Sequence, residues 1–218
     1  MTTRSSNQPD LASLLGEVRS LTAGYKATGP STFESYLGLV NLLLRTTVMR
    51  PGAAVRLHRG PSKARASLGG MKSPTDPVPL NGGGFLRITT SLFLGYTDRY
   101  NLDDVLKVES DSTQYQLDEG GARWVFRYDY GRYGQGRHPG SHVQIRGVLQ
   151  EKKALPKKRP LGRVHLATGR ISLEAVIRVL IEQFDVPPNR GPKIWRPVLA
   201  ESERAFLEIA HQPLSGPA

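Results

Sequence analysis

The chain has 218 residues, of which 38% are hydrophobic, and it contains no cysteine, so disulfides and thiolate metal sites are excluded. Its formal net charge of +11 favours a polyanionic partner, most often nucleic acid. The N-terminal residues lack the apolar region of a secretory signal, and no stretch approaches the length of a membrane span, so we expect a cytoplasmic protein that does not contact membranes.

Two helices are predicted in the N-terminal part of the chain. Asp10 can cap the first, because apolar residues recur with helical spacing after it. Ser31 and Glu34 have the spacing of a capping box at the start of the second, at 31–47. The second helix is apolar over most of its surface, which predicts that it is buried or that it docks a protein partner or a second copy of the chain.

The segment after these helices is rich in Gly, Pro and basic residues and shows no clear period. A loop of this length is usually functional or disordered, and its charge suits an arm that orders on a polyanion. A solvated linker is the alternative. The residues here that we assign to nucleic-acid binding are Arg50, Arg56, Arg59, Lys63, Arg65 and Lys72. A second basic run adds Lys152, Lys153, Lys157, Lys158, Arg159 and Arg163.

The rest of the chain has the pattern of strands followed by helices. Strands are predicted at 85–96, 114–117, 122–130, 142–149 and 161–166. Helices are predicted at 173–184, with Ser172 as the cap, and from near Pro197 to about 211. The acidic pattern around Asp103, Asp104, Glu109 and Asp111 is interpreted as a solvated, charged turn. This order predicts an α+β fold, an antiparallel sheet with N-terminal helices and C-terminal helices.

These patterns divide the chain into five segments. The predicted division is a disordered tail at 1–9, a helical segment at 10–49, a basic Gly/Pro-rich loop at 50–84, an α+β domain at 85–211 and a tail at 212–218.

Alternation along the predicted strands collects polar side chains on one face. In the strand at 122–130, Trp124 and Phe126 are expected to face one way, while Arg127 and Asp129 face the other. If the following strands are neighbours, one patch gathers polar and basic residues, with one more histidine in the turn above it. The patch members are Arg127, Asp129, His142, Arg146, Arg163 and His165, and the turn residue is His138.

This inventory suits proton transfer at a phosphate. A histidine titrates near neutral pH, a carboxylate can hold it in one tautomer, and arginines stabilise charge that develops on phosphate oxygens. A ribonuclease that uses no metal and no cofactor needs little more. A solvated sheet face with an ion pair and surface histidines is the alternative. The predicted catalytic residues are Arg127, Asp129, His138, His142, Arg146 and His165.

The order of these residues resembles the TumE-type toxins of bacterial toxin–antitoxin systems. The matching residues are Arg127-Tyr128-Asp129 at the end of a strand, His138-Pro139 in a turn and His142 at the next strand. The resemblance covers the region from about 85 to 184 and implies a toxin-like fold that acts on RNA. The family usually has Asn after the aspartate, where this chain has Tyr130, and paired histidines where this chain has single ones.

Three functional hypotheses follow from the sequence. The first is a protein that acts on nucleic acid, RNA being favoured, as a metal-independent ribonuclease of toxin type. The second is a non-catalytic nucleic-acid-binding subunit that uses the basic segments. The third is a protein-assembly module that docks through the helix at 31–47 and whose positive charge meets an acidic partner.

Overall fold

An antiparallel sheet packs against helices from both ends of the chain in the computed structural model, which describes residues 8–60, 62–95, 105–132, 140–146 and 166–210. The helices are α1 (Leu11–Lys26), α2 (Ser31–Thr46), α3 (Leu173–Gln183) and α4 (Pro192–Ala210). The strands are β1 (Arg56–Arg59), β2 (Arg65–Gly69), β3 (Val78–Pro79), β4 (Phe85–Gly95), β5 (Val105–Gln116), β6 (Trp124–Gly131), β7 (Ser141–Ile145) and β8 (Leu166–Ala167). The predicted α+β class is confirmed.

Strands that follow one another along the chain lie side by side in the sheet. The order is β1-β2-β4-β5-β6-β7-β8, every pairing is antiparallel, and the short β3 pairs with β4. Within the described ranges, none of the helices is long and apolar enough to cross a membrane.

The predicted basic loop at 50–84 is wrong in part, because β1, β2 and β3 lie within it. Leu57 of β1 stands opposite Leu68 of β2, and Ala66 and Leu68 are buried in the core. The apolar period of these strands spans only a few residues and is interrupted by basic side chains. A pattern that short gives no clear alternation, so propensity alone could not identify the hairpin.

The acidic turn predicted around Asp103, Asp104, Glu109 and Asp111 is also wrong in part. Glu109 and Asp111 lie inside β5, a strand of 12 residues that begins well before the predicted start at 114. Aspartate and, to a lesser degree, glutamate are depleted in strands, but pairing with β4 and β6 on both sides fixes this segment as a central strand. The other two residues of the predicted turn, Asp103 and Asp104, lie outside the described residues.

The N-terminal helices begin in two different ways. Asp10 caps α1 as predicted, its Oδ1 accepting a hydrogen bond from Ser13 N at 2.8 Å. The capping box at the start of α2 is wrong, since Pro30 precedes the helix and makes no side-chain cap. Glu34 instead forms an ion pair with Arg59 Nη2 of β1 at 2.7 Å.

Helix α2 supplies much of the hydrophobic core. Its buried residues are Thr32, Phe33, Leu39, Val40, Leu42, Leu43, Leu44 and Thr46. The apolar residues among them pack with residues of α1, β2, β4, α3 and α4 in one cluster. The apolar surface that led to the docking hypothesis for residues 31–47 is therefore used inside the chain.

The C-terminal helices complete the layer on the sheet. Ser172 caps α3 as predicted, its Oγ accepting a hydrogen bond from Ala175 N at 3.0 Å. The start of α4 was predicted too late: the helix begins at Pro192, so Pro197 lies inside it. A proline is well suited to the first turn, where its missing N–H has no helical partner. Trp195 is buried in the core.

A buried carboxyl group joins α3 to α4. Glu174 is only 5% exposed, and its Oε1 accepts a hydrogen bond from the Ser202 hydroxyl. Burial raises the pKa of Glu174, with the serine hydrogen bond acting in the opposite direction. The native state therefore holds this proton more tightly than the unfolded chain does.

Replacing Glu174 with glutamine should stabilise the fold at alkaline pH by on the order of 1 kcal/mol and change little near pH 4. The wild-type contribution is fully present below the ordinary glutamate pKa and is lost as the pH rises through the higher native value. Glutamine keeps an acceptor for Ser202 and does not ionise. Urea unfolding across this pH range measures the difference. Glu182→Gln, at an exposed site on the same helix, is the control, and parallel curves for Glu174→Gln and wild type would contradict the burial argument.

Candidate functional site

The two faces of the sheet differ in chemistry. The inner face packs on the helices and carries Leu86, Ile88, Tyr115 and Tyr128, all of which are buried. The opposite face, which we call the outer face, carries polar residues at the alternate positions. On β5, β6 and β7 these are Ser112, Gln114, Arg127, Asp129, His142 and Gln144.

Asp129 is the centre of a cluster on the outer face. Its Oδ2 accepts a hydrogen bond from Arg127 Nε at 2.8 Å and lies 3.4 Å from His142 Nε2. Its Oδ1 accepts from Ser112 Oγ at 2.7 Å. Ser112, Asp129 and His142 stand directly opposite one another on β5, β6 and β7, so the antiparallel register brings these three side chains together.

Arg127 links this cluster to a second row across the sheet. Gln114, Arg127 and Gln144 are register partners on the same three strands. Arg127 Nη2 donates to Gln144 Oε1 at 2.5 Å. We call Ser112, Arg127, Asp129, His142 and Gln144 the polar network.

The parts of the polar network are not equally exposed. The side chain of His142 is 10% exposed, that of Asp129 is 21% exposed and that of Arg127 is 40% exposed. A substrate that approaches from solvent therefore meets the arginine first. The carboxylate contacts both the guanidinium and the imidazole, and a proton on His142 Nε2 would point toward it.

A β-bulge shifts the start of β6. Tyr115 of β5 pairs with Phe126, but the next residue, Gln116, pairs with Trp124. Val125 and Phe126 consequently both pack against the core, and the register gives Trp124 the same face as Gln116. The expectation that Trp124 and Phe126 share a face is thus wrong, because strict alternation does not continue through a bulge.

The structure brings together three of the predicted catalytic residues, Arg127, Asp129 and His142. Arg146 is not part of the network: it lies just beyond β7, is exposed, and donates from its guanidinium to Ala122 O. Ser112 and Gln144 were missed as site residues. The cross-strand positions of Ser112 and Gln144 follow only from the register, which the sequence does not give. The remaining predicted residues, His138 and His165, lie outside the described part of the chain, as do Lys152, Lys153, Lys157, Lys158, Arg159 and Arg163.

The basic residues of the N-terminal run lie on the surface. Arg50, Arg56, Arg59, Lys63, Arg65 and Lys72 are all exposed. Arg65 forms an ion pair with Glu109 at 2.7 Å and lies 5.8 Å from the centroid of the Phe93 ring. The strand register gives Arg56 and Arg65 the same face as the polar network. Arg65 lies three strands away from Asp129 and four residues further along the strand direction. These offsets correspond to a distance of roughly 20 Å between the two residues.

The polar network has one carboxylate and one imidazole, which is fewer than the three protein ligands of a typical catalytic zinc site. Across the described residues, no group of three or more His, Asp or Glu side chains is arranged to hold a metal ion. The chemistry that the network offers is proton transfer at His142, together with hydrogen-bond donation from Arg127.

Comparison with known proteins adds no further constraint. No protein-family model matches the chain, and neither a curated protein nor a solved structure is significantly similar to it.

Proposed function

We propose that this chain acts on RNA at the outer face of its sheet and cleaves it without a metal ion in the cytoplasm. The observation that carries the proposal is the meeting of Arg127, Asp129 and His142 on the face that also carries Arg56 and Arg65. The exposed arginines would hold phosphates and bring a strand toward the network. The TumE resemblance, which uses the same three network residues, agrees with this function.

The proposed reaction is transfer of the phosphoryl group to the neighbouring ribose oxygen. His142 takes the proton of the 2′-hydroxyl as that oxygen attacks phosphorus. The bond from phosphorus to the 5′-oxygen breaks, and the leaving oxygen takes up a proton. Arg127 donates hydrogen bonds to the phosphate oxygens as their charge grows, and Asp129 stabilises the imidazolium. The proton for the leaving oxygen is assigned to His138 or His165, both outside the described residues.

A second candidate is RNA binding without cleavage. It is favoured by the small exposed fraction of His142, 10% of its side chain, and by the two hydrogen bonds that Asp129 already accepts from Arg127 and Ser112. On this account the polar network stabilises the sheet, and the exposed basic residues provide the function.

The two candidates are separated by incubating the purified full-length protein with labelled single-stranded RNA in EDTA. Products that end in a 2′,3′-cyclic phosphate support the proposed reaction. Binding with intact RNA supports the second candidate. If the protein neither binds nor cleaves RNA at low salt, both candidate functions are contradicted.

Replacing Arg56 and Arg65 together with glutamine should weaken RNA binding and reduce its salt dependence. For single strands, each lost phosphate contact reduces the magnitude of the negative slope of log affinity against log salt by about 0.7. For two lost contacts we expect this magnitude to fall by about 1.4. Fluorescence anisotropy at several salt concentrations measures the slope. The matched control is Arg204→Gln on α4, an exposed arginine that pairs with Glu201 at 2.8 Å. An equal loss in both proteins would place the RNA elsewhere.

A further inference from the structure

A cavity of about 120 Å³ lies between the inner face of the sheet and the four helices. We call it the inner cavity. Its lining comes from β4, β5 and β6, from all four helices and from residues that precede α3. An engineered apolar cavity of about 150 Å³ binds benzene, so this space is of the order needed for a ring-sized ligand. It lies on the face opposite the polar network.

Arg170 is a cation in the wall of the inner cavity. Its Cζ lies 4.6 Å from the centroid of the Tyr130 ring and 5.2 Å from that of Phe206. These ring contacts hold the planar guanidinium. Among the described residues, Arg170 has no hydrogen bond and no carboxylate within ion-pair distance. Its N–H donors therefore remain for a ligand, and their geometry suits the two oxygens of a carboxylate.

The two carboxyl groups of the inner cavity already have hydroxyl partners. Asp111 Oδ1 accepts a hydrogen bond from Thr90 Oγ1 at 2.7 Å, and Glu174 accepts one from Ser202. Burial raises the pKa of both acids, while the hydrogen bond from Thr90 and the charge of Arg170 lower that of Asp111. Burial thus reduces the repulsion that these groups would exert on an anion beside Arg170.

The lining also includes Lys107, Thr113 and Arg132, while the part of the wall formed by α2 and β4 is largely apolar and belongs to the core. This apolar part is lined by Leu39, Val40 and Leu43 of α2 and by Ile88 of β4. A strongly hydrated anion such as phosphate would lose its water against this surface without compensation. A ligand with a carboxylate on an apolar body can pair its carboxylate with Arg170 and pack its apolar body against the apolar part of the lining.

We propose that the inner cavity binds a small organic carboxylate, with the carboxylate on the edge of the Arg170 guanidinium and the apolar body against Leu39, Val40 and Ile88. This site is independent of RNA binding at the outer face. Arg170 and Asp111 are far apart in the chain, and only the fold places them around one cavity.

Benzoate is the probe, and isothermal titration of the full-length protein is the first measurement. We expect a dissociation constant on the order of 1 mM, as befits a ligand of this size. Benzyl alcohol has the same ring without the charge and should bind at least about 10-fold more weakly. Inorganic phosphate should not displace benzoate. Equal binding of the acid and the alcohol, displacement by phosphate, or no binding of benzoate would each overturn the proposal.

Variants then locate the ligand. Arg170→Gln should weaken benzoate binding by at least about 10-fold, because glutamine cannot form the charge-assisted pair. Arg196→Gln is the control, since Arg196 also lies over an aromatic ring, that of Trp195 at 5.2 Å, but is exposed on α4. Unchanged affinity in Arg170→Gln would overturn the proposal. If that variant does not fold, the comparison of benzoate with benzyl alcohol on the wild-type protein decides.

Discussion

Replacing His142 with alanine should lower the rate of RNA cleavage in EDTA by about 10²- to 10⁴-fold, the usual contribution of a positioned proton-transfer group. The imidazole lies 3.4 Å from Asp129 Oδ2, and the proposed reaction uses it to take up the proton of the 2′-hydroxyl. RNA affinity should change little, because the exposed arginines are retained. Initial rates of product formation, together with anisotropy measurements of binding, give both quantities.

A structural role for His142 must be distinguished from a chemical one, because the residue is largely buried. His58→Ala is the matched control. His58 lies on the outer face of the sheet, as His142 does, and its Nε2 is 2.9 Å from Gly70 O. Asp129→Asn should also slow cleavage, because the imidazole loses the carboxylate that lies 3.4 Å from it. Equal rates in wild type and His142→Ala, with both proteins folded by circular dichroism, would exclude His142 from the reaction.

The sequence predicted the correct face for residues of the polar network in the regular parts of the strands. Alternation in the strands around Arg127 and His142 gave the correct face for Arg127, Asp129, His142 and Gln144, because side chains in a regular strand repeat every two residues. The same rule failed at Trp124, since a β-bulge adds one residue to the strand. The local sequence does not predict that extra residue.

The sequence was least informative where tertiary contacts override propensity. The segment around Asp111 is polar and acidic, which is typical of a turn, yet β4 and β6 pair with it on both sides. An acid that alternates with Thr113 and Tyr115 was the available signal for an inward-facing carboxyl group. Arg170 carried no such signal, because its role depends on rings from β6 and α4 that the fold brings to it.

The apolar character of α2 had two interpretations, and a core substitution separates them further. Phe33→Ala should reduce the free energy of unfolding by about 3 to 5 kcal/mol, because the ring is fully buried and its removal leaves a cavity. Urea unfolding monitored by circular dichroism measures the loss. A docking helix would behave differently: the same substitution would weaken self-association or partner binding and leave the stability of the isolated chain nearly unchanged.

Phe184→Ala is the matched control for the loss of a phenyl ring at a more exposed place. Phe184 is 38% exposed, against 0% for Phe33, although its ring lies 5.2 Å from that of Tyr115. Because less apolar area is withdrawn from water there, we expect a loss of about 1 kcal/mol. A loss in Phe33→Ala no greater than in Phe184→Ala, with a change of molar mass by light scattering, would contradict the core assignment. It would restore α2 as an interface.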